Sequence, residues 1–534
     1  MSGPTTRDFA KATYAGTAAV GRVLRPAAAS EVPGIVRAAA RSGRRLHPIS
    51  TGRNWGYGSA TPPVDADLLD LGALTSILGY DREIGTVVVE PGVTQGRLAD
   101  FLREEGDLHW MDPAGAARDV SIVGNTLERG FGHTAYADHW QNVMWIEAVL
   151  ADGRTVRTGF AGHRGALAAD AFRWGAGPVL DGLFSQSGLG VVTKMAIALM
   201  PRPEAFCAVF AAGRDDGSLA PIVDAVRVAR QRQLLRSAAH IVNDYKVFQS
   251  FGPYPWDRMD GAVPLSRDVR LALRAEWGVS AWNLSGALYG TRRQVAEAKA
   301  HLRRALRPHC GRIAFVSRGK ADLAKRLGGA LSRAGLSTFA ETVERLDPVL
   351  DLMTGQPTDG VLASTYWRKR APVPSAPDPD RDRCGLIWIP PVAPLVGRHA
   401  QAMGALVEDS FGRHGFEPAM SMTAITERAL DNVVCLSFDR DVPGEDDRAL
   451  ACFEETTQAL ADQGYFPYRT HPTGFDHRPW RDEHLLDTIR TALDPEGVFA
   501  RRDPPARAQA DRAASGIGGP PDDARPDRER ALLP

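Results

Sequence analysis

Glycine-rich loops constrain the first part of this 534-residue chain more strongly than any other feature. Segment 50–58 (STGRNWGYG) places three glycines within seven residues, directly after the run 46–49 (LHPI). Glycine permits positive φ angles, so consecutive backbone N–H groups in such a loop can point into one concavity and bind phosphate. Arg53 can add a bidentate charged contact. A glycine-rich surface turn remains an equally open alternative, because short glycine motifs are weak evidence.

Two more glycine-rich segments follow later in the chain. Segment 124–134 (GNTLERGFGHT) is expected to contain little helix, and segment 174–178 (WGAGP) leads into 180–193 (LDGLFSQSGLGVVT). The loops 50–58 and 124–134 are both rich in backbone donors and each holds an arginine. Together they predict a ligand with two phosphates.

Charge and cysteine content exclude several classes of partner. Lys+Arg and Asp+Glu both number 64, and this zero net charge gives no long-range attraction to nucleic acid. No stretch is apolar for long enough to cross a bilayer, so we expect no membrane span. Five widely spaced cysteines, and an N-terminus (MSGPTTRDFAKATYAGTAAV) without a signal-peptide core, favour a cytoplasmic protein. The chain has no CxxC or HExxH motif, so no metal site is expected.

Short strands and helices alternate over residues 16–203, which predicts a mixed α and β fold. We expect a strand at 87–89, a helix over 94–105 capped by Thr94, and a hairpin turn at 151–154. Later in the chain, 290–306 has the pattern of an amphipathic helix and 386–389 that of a buried strand.

Two further segments are rich in proline and charge. Residues 371–383 (APVPSAPDPDRDR) predict an exposed excursion. Residues 503–534 carry few large apolar side chains and predict a disordered tail.

Six motifs in order resemble one family of flavoenzymes, and none would be specific alone. They are STGRNWGYGSATP (50–62), VEPGVTQGRL (89–98), GNTLERGFGHTAYADH (124–139), LDGLFSQSGLGVVTKMAIALMPRP (180–203), ACF (451–453) and GYFPYR (464–469). In this order they resemble the p-cresol methylhydroxylase/vanillyl-alcohol oxidase family of FAD enzymes. The resemblance spans about residues 16–500.

The resemblance implies an α+β, two-domain FAD-binding fold of the PCMH type with an α+β cap domain. It implies an FAD-binding domain at 16–203, a cap domain that carries the substrate at 204–464, and a C-terminal return to the FAD domain at 465–502. The cofactor is then expected to be FAD. The positions that the resemblance assigns to FAD are Thr51, Gly52, Arg53, Asn54, Trp55, Gly56, Gly58, Gly124, Asn125, Thr126, Glu128, Arg129, Gly130, Gly190, Val191, Cys384 and Arg501.

The resemblance also implies a phenolate-binding trio of Tyr57, Tyr468 and Arg469. Two hydroxyl donors and a guanidinium stabilise a phenolate and lower the pKa of a bound phenol. The phenolate can then expel a benzylic hydride and become a quinone methide. Read from the residues alone, Tyr468 could instead pack at a domain seam while Arg469 pairs with a surface carboxylate.

The chain departs from the family pattern at several positions. His133 stands where the family has tyrosine, and is a candidate catalytic residue or a structural histidine. The acidic residue that some family oxidases place near the flavin falls on Ala116, with Asp119 close by. Arg501 and the adjacent Arg502 both remain candidates for the arginine that supports the reduced flavin.

Covalent attachment of FAD is a separate question. The histidine that tethers FAD in some members falls on Cys384, and the tethering tyrosine of others falls near Tyr366. Cys384 could be a thiolate tether, a buried small residue or an exposed thiol. We expect non-covalent FAD.

The expected activity is removal of hydride from the benzylic carbon of a para-substituted phenol. The expected partners are a small aromatic substrate, O₂ or an external electron acceptor, and a second copy of the chain in a homodimer. Two alternatives remain: oxidation of a non-phenolic alcohol or amine with His133 as base, and a flavin-binding protein without catalysis.

Overall fold

The computed structural model describes residues 8–326, 337–469, 471 and 483–500. Arg501 and the predicted disordered tail at 503–534 lie outside the described residues.

Eighteen strands form among the described residues. They are β1 (Val20–Leu24), β2 (Leu46–Ile49), β3 (Ala66–Asp70), β4 (Ile77–Asp81), β5 (Thr86–Val89), β6 (His109–Trp110), β7 (Val143–Val149), β8 (Thr155–Arg157), β9 (Val191–Ala198), β10 (Met200–Pro201), β11 (Ala205–Gly213), β12 (Ala239–Asn243), β13 (Trp282–Gly290), β14 (Cys310–Val316), β15 (Cys384–Ile389), β16 (Val392–Pro394), β17 (Ala419–Ala424) and β18 (Ala429–Asp439).

The α-helices of the same residues lie between these strands or follow them. They are α1 (Val32–Ser42), α2 (Gln95–Glu104), α3 (Ile122–Leu127), α4 (Leu219–Gln231), α5 (Asp244–Phe251), α6 (Arg267–Trp277), α7 (Arg292–Leu306), α8 (Arg318–Arg326), α9 (Ser337–Met353), α10 (Gly397–His414), α11 (Glu445–Asp462) and α12 (Glu483–Leu493).

The N-terminal part of the chain, up to β9, builds two main sheets. A parallel three-stranded sheet has the order β1-β3-β2, and an antiparallel five-stranded sheet has the order β4-β5-β9-β7-β8. The β-branched run of β5 pairs with β9, with Val87 opposite Ile197, and both side chains are buried. Helix α2 packs on this sheet. Thr94 caps its N-terminus, and the Thr94 hydroxyl accepts the N–H of Arg97.

The strands from β11 to β18 build one large antiparallel sheet in the order β14-β11-β13-β12-β17-β18-β15, with β16 beside β18. One face of this sheet is apolar and packs against α4, α7, α10 and α11. Ile241, Met422 and Val434 on this face are completely buried. The opposite face carries the polar row of His240, Thr423 and Asp431.

The α+β fold class is confirmed, together with the local elements that rest on periodicity and caps. Helices α2 and α7, the hairpin between β7 and β8, and strand β15 all form where the sequence predicts them. The large sheet begins at Ala205, close to the predicted domain boundary at 203/204. Near the end of the chain, Phe499 bridges to Leu46 in β2. The domain boundaries themselves stay a prediction.

Two predictions about loops were wrong in part. Segment 124–134 begins inside α3, which Ser121 caps by accepting the N–H of Gly124. Segment 371–383 is exposed over its first part, but Pro379 and Asp380 are buried. Both segments contact the glycine-rich loop 50–58, a partner that local composition does not reveal.

Candidate active site

The loop 50–58 presents free backbone donors. Gly52, Gly56 and Gly58 adopt φ angles of +64°, +78° and +94°, a region that L-residues disfavour. The backbone N–H groups of residues 53–55 find no acceptor among the described residues. A tight turn with unsatisfied N–H groups suits an anionic group such as phosphate.

The same loop is held against the large sheet. A Cβ added to Gly56 would overlap the indole of Trp388 in β15. The Trp388 Nε1–H donates to the carbonyl of Trp55 at 3.0 Å, and the Gly56 N–H donates to Thr13 Oγ1 at 2.9 Å. Glycine at position 56 is therefore required by the neighbouring indole as well as by the backbone angle.

Two side chains of the loop, Arg53 and Trp55, bind carboxylates. Arg53 lies 2.8 Å from both Asp119 and Asp378, and the Trp55 Nε1–H donates to Asp380 at 3.2 Å. Asp119, which lies close to the position of the missing flavin-facing acid, is thus engaged by Arg53. These contacts tie the excursion 371–383 to the loop.

Segment 121–130 packs directly against the loop. The Thr51 hydroxyl accepts the N–H of Ser121 at 3.2 Å, and a Cβ on Gly124 would overlap the Ser50 hydroxyl. Gly130 likewise has no room for a Cβ because the Asn125 carboxamide fills that space. The glycines of this segment thus permit close approach between two loops.

Two buried polar groups fix the orientation of Asn125. Its Oδ1 lies 2.8 Å from Nδ1 of His139, and the other nitrogen of His139 lies 3.3 Å from Asp112. Burial raises the pKa of Asp112, but His139 and Thr134 outweigh that effect and the net pKa lies below its usual range. Thr126 beside Asn125 is buried.

The third glycine-rich segment closes the same region. Gln186 donates to the carbonyls of Glu128 at 3.2 Å and Tyr468 at 3.3 Å, and Arg129 donates to Ser185 at 3.0 Å. At its end Gly190 lies against Phe184 and the carbonyl of Val149. Val191 is completely buried in β9, where it pairs with Val149 of β7.

The structure brings Tyr57, Tyr468 and Arg469, the trio implied by the family resemblance, close together. The Arg469 guanidinium lies 3.8 Å from the Tyr57 ring centroid and donates to Asn54 at 2.8 Å and Glu128 at 3.1 Å. Arg469 is only 7% exposed, which excludes a position at the protein surface. The Tyr57 hydroxyl is buried and has no hydrogen-bond partner among the described residues.

The electrostatics keep both tyrosines protonated. Burial raises the pKa of Tyr57, while Arg469 opposes the rise. Burial also raises the pKa of Tyr468 well above its usual value. Both phenols therefore remain donors at neutral pH and can serve an anionic ligand beside the guanidinium.

His133 lies beside a second histidine that the sequence analysis did not find. Its ring stacks on His240 of β12 with centroids 4.6 Å apart, and its Nδ1 lies 3.3 Å from the Pro113 carbonyl. His240 Nδ1 lies 3.0 Å from Thr423 Oγ1, whereas its buried Nε2 has no hydrogen bond within the described chain. Burial lowers the pKa of both imidazoles, so both are neutral at pH 7.

Asp431 is another buried polar residue, and it lies outside the motifs quoted in the sequence analysis. It pairs with Thr423 across β17 and β18, and Thr423 pairs with His240, so the three side chains form one row on one face. Asp431 is 8% exposed, and burial raises its pKa to about 7, with a smaller contribution from Asp138. The only sequence signal for this row is a polar residue on a buried strand.

Cys384 and Tyr366 are the two candidates for a covalent bond to the flavin. Cys384 is completely buried at the start of β15, and burial raises the pKa of its thiol to about 12. The reactive form of cysteine is the thiolate, which this environment disfavours. The Tyr366 hydroxyl donates to Asp382 at 2.6 Å.

The residues present fit FAD. The free N–H groups at 53–55 suit its pyrophosphate, and segments 121–130 and 185–191 form the adjoining wall with polar groups held in fixed orientations. The Tyr57 hydroxyl lies in the same loop. It is buried and has no hydrogen-bond partner among the described residues, so it can donate to a bound ligand.

Comparisons with known proteins agree with this geometry. A family described as an FAD binding domain matches residues 20–159. The 1'-carboxy-chondrochloren decarboxylase of Chondromyces crocatus is 38% identical, covering 92% of this chain and 91% of the relative. The 4-cresol dehydrogenase [hydroxylating] flavoprotein subunit of Pseudomonas putida is 28% identical, covering 88% and 85%. A crystal structure of p-cresol methylhydroxylase with substrate bound superposes with a TM-score of 0.81 at 26% identity, covering 92% and 90%.

The fold, the site and these relatives define an FAD-dependent oxidoreductase that acts on a small molecule and passes electrons to an acceptor. The chain belongs to the p-cresol methylhydroxylase/vanillyl-alcohol oxidase family. Its cofactor is FAD, and its fold is the two-domain PCMH type. Within the described ranges, no helix combines the length and apolar character needed to cross a bilayer.

Proposed function

We propose that this enzyme oxidises a para-substituted phenol by removing a hydride from its benzylic carbon. The observation that carries the proposal is the buried Tyr57 hydroxyl without a partner in the described chain, beside Arg469 and Tyr468. A buried, unsatisfied hydroxyl costs stability, and a ligand oxygen that accepts from it removes that cost.

The chain's own residues activate the phenol. The two tyrosine hydroxyls donate to the phenol oxygen while Arg469 supplies positive charge, so the bound phenol loses its proton more readily. The phenolate directs electron density toward the para carbon, and the benzylic hydride leaves to give a quinone methide. Bound FAD supplies the two-electron acceptor for this hydride.

The test is anaerobic reduction of the holoenzyme by 4-ethylphenol and by its methyl ether, followed through the flavin absorbance. Only the phenol is expected to reduce the flavin rapidly, because the ether cannot ionise. Arg469→Met removes the cation of a buried charged pair, which costs about 2–5 kcal/mol. We therefore expect a reduction rate lower by about 30-fold to several thousand-fold.

Tyr57→Phe is the sharper variant because its hydroxyl has no partner within the described residues. It should leave thermal stability unchanged or higher, yet slow reduction by about 10-fold to 100-fold. Tyr80→Phe is the control, since it removes a tyrosine hydroxyl in β4, where that hydroxyl lies 2.7 Å from His109 Nδ1. Equal reduction by phenol and ether would contradict the proposal and favour alcohol or amine oxidation.

A second candidate function is oxidative decarboxylation, which the 38% identical decarboxylase favours. From a 3-(4-hydroxyphenyl)propanoate, hydride loss at the benzylic carbon gives a quinone methide. The electrons of the adjacent C–COO⁻ bond can then form a C=C bond, which releases CO₂ and restores the phenol ring as 4-vinylphenol. Detection of 4-vinylphenol and CO₂ in equal amounts would support this reaction, and a hydroxylated acid as sole product would exclude it.

A further inference from the structure

One face of the large sheet carries a row of partly buried side chains. Val242, Ser421 and Val433 lie opposite each other on β12, β17 and β18, and all three are only partly buried. Their neighbours on the other face, such as Ile241 and Met422, are completely buried. This face therefore borders open space, and its ends are marked by Trp388 in one direction and His240 in the other.

Lys246, in the first turn of α5, reaches this face. Its Nζ lies 5.5 Å from the Trp388 ring centroid and 3.3 Å from Gln249 Oε1. No carboxylate of the described residues forms an ion pair with it. The nearby acid, Asp244, is instead bound by Arg270 and a second arginine. Burial lowers the pKa of Lys246, as expected for a cation without a compensating charge.

His240 offers a second donor on the same face. The Thr423 hydroxyl can donate to Nδ1, and the neutral ring then carries its proton on the buried Nε2, which has no partner within the described ranges. Burial lowers the pKa of His240, and the charges of His133 and Lys246 lower it further. Asp431, in the same row, is two strands or about 10 Å away from His240.

We propose that Lys246 forms an anion-binding subsite that receives a carboxylate on the para side chain of the substrate, with His240 as a further donor on the same sheet face. The inference rests on the proposed phenol oxidation. A partly desolvated ammonium is costly without a counter-charge, and nothing in the described chain provides one. The Trp388 indole lies against Gly56, the residue before Tyr57, and its ring centroid is 5.5 Å from Lys246 Nζ, so this one side chain connects the subsite with the loop that carries Tyr57. The substrate is a para-substituted phenol with an acidic side chain.

The experiment compares 3-(4-hydroxyphenyl)propanoate with 4-propylphenol, a neutral compound of similar size. Binding to the oxidised holoenzyme is measured by calorimetry and by the change in flavin absorbance, and reduction is measured separately under anaerobic conditions. The wild-type protein should bind the acid more tightly. Lys246→Met should weaken binding of the acid by about 10-fold to 100-fold, the loss of one charged hydrogen bond, and change 4-propylphenol binding less than twofold.

Three further variants keep the result specific. Lys246→Arg should restore acid binding because it keeps the cation. Lys299→Met is the matched control, since Lys299 Nζ also lies over an aromatic ring, 5.4 Å from the Phe315 centroid, on the outer helix α7. Lys246→Gln replaces Lys246→Met if the latter does not fold, and should show the same selective loss.

Two outcomes separate the subsite from the proposed function. If the acid and 4-propylphenol bind equally to the wild-type protein, or if Lys246→Met weakens both alike, the subsite is overturned. If neither compound reduces the flavin, the proposed phenol oxidation is wrong, while the binding titration still decides the subsite.

Discussion

Gly56→Ala is a small change with a large expected effect on FAD binding. The new methyl group would overlap the Trp388 indole, and position 56 has a φ of +78°. An L-residue in the left-handed region costs roughly 1–2 kcal/mol. Forcing a methyl group into a packed contact costs about 1–3 kcal/mol more. Because loop 50–58 must hold this conformation to present its N–H groups, the strain of about 2–5 kcal/mol appears in the FAD affinity.

The measurement is an FAD titration of the apoprotein, with the dissociation constant expected to rise about 30-fold or more. Gly34→Ala is the control, since Gly34 lies in helix α1 with nothing within 4 Å of a new Cβ. Adding Trp388→Ala to Gly56→Ala removes the overlap and should recover part of the loss, leaving the backbone cost. If Gly56→Ala bound FAD as tightly as Gly34→Ala, the reasoning would be refuted.

Two further predictions concern the flavin linkage and pH. Acid precipitation should release the flavin into the supernatant, because the Cys384 thiol is completely buried with a pKa raised to about 12, and a flavin-bearing peptide containing Cys384 or Tyr366 would contradict this. Asp431→Asn should raise the thermal midpoint more at pH 8.5 than at pH 5. A carboxyl whose folded pKa is raised to about 7 loses its stabilising contribution as pH rises through that value, so a pH-independent difference would be the adverse result.

Local signals predicted the elements that local physics determines. Thr94 caps helix α2, and the β-branched run forms strand β5, both as expected. Helix α3 was missed because Gly124, Asn125 and Thr126 all have low helix propensity. Its formation depends on the Ser121 cap and on contact with the loop 50–58, which is distant in sequence.

The row of His240, Thr423 and Asp431 could not be predicted for a different reason. His240, Thr423 and Asp431 become neighbours only through the register of three strands, and a shift of one residue would turn each side chain to the other face. A single sequence carries no record of that register. The trio Tyr57, Tyr468 and Arg469 was found because flanking motifs resemble a known family. No such motif surrounds Lys246.

The burial of part of the excursion 371–383 could not be predicted either, because its partners are distant in sequence. Its proline and charge content is typical of an exposed loop, yet Asp378 binds Arg53 and Asp380 binds Trp55. One of these carboxylates therefore neutralises Arg53, and the other accepts a hydrogen bond from the Trp55 indole. Composition describes what a segment can expose, whereas its partners, which lie far earlier in the chain, decide what it buries.

Arg469 and Lys246 differ in how their charges are compensated within the described residues. Arg469 already pairs with Glu128, so a phenolate that approaches it must share the guanidinium with a carboxylate. Lys246 has no such competitor among the described residues. An anionic side chain on the substrate would therefore gain more from Lys246 than the phenolate gains from Arg469 on first binding. Recognition would then depend mainly on the carboxylate, while Arg469 and the tyrosines act on the ionised phenol during hydride loss.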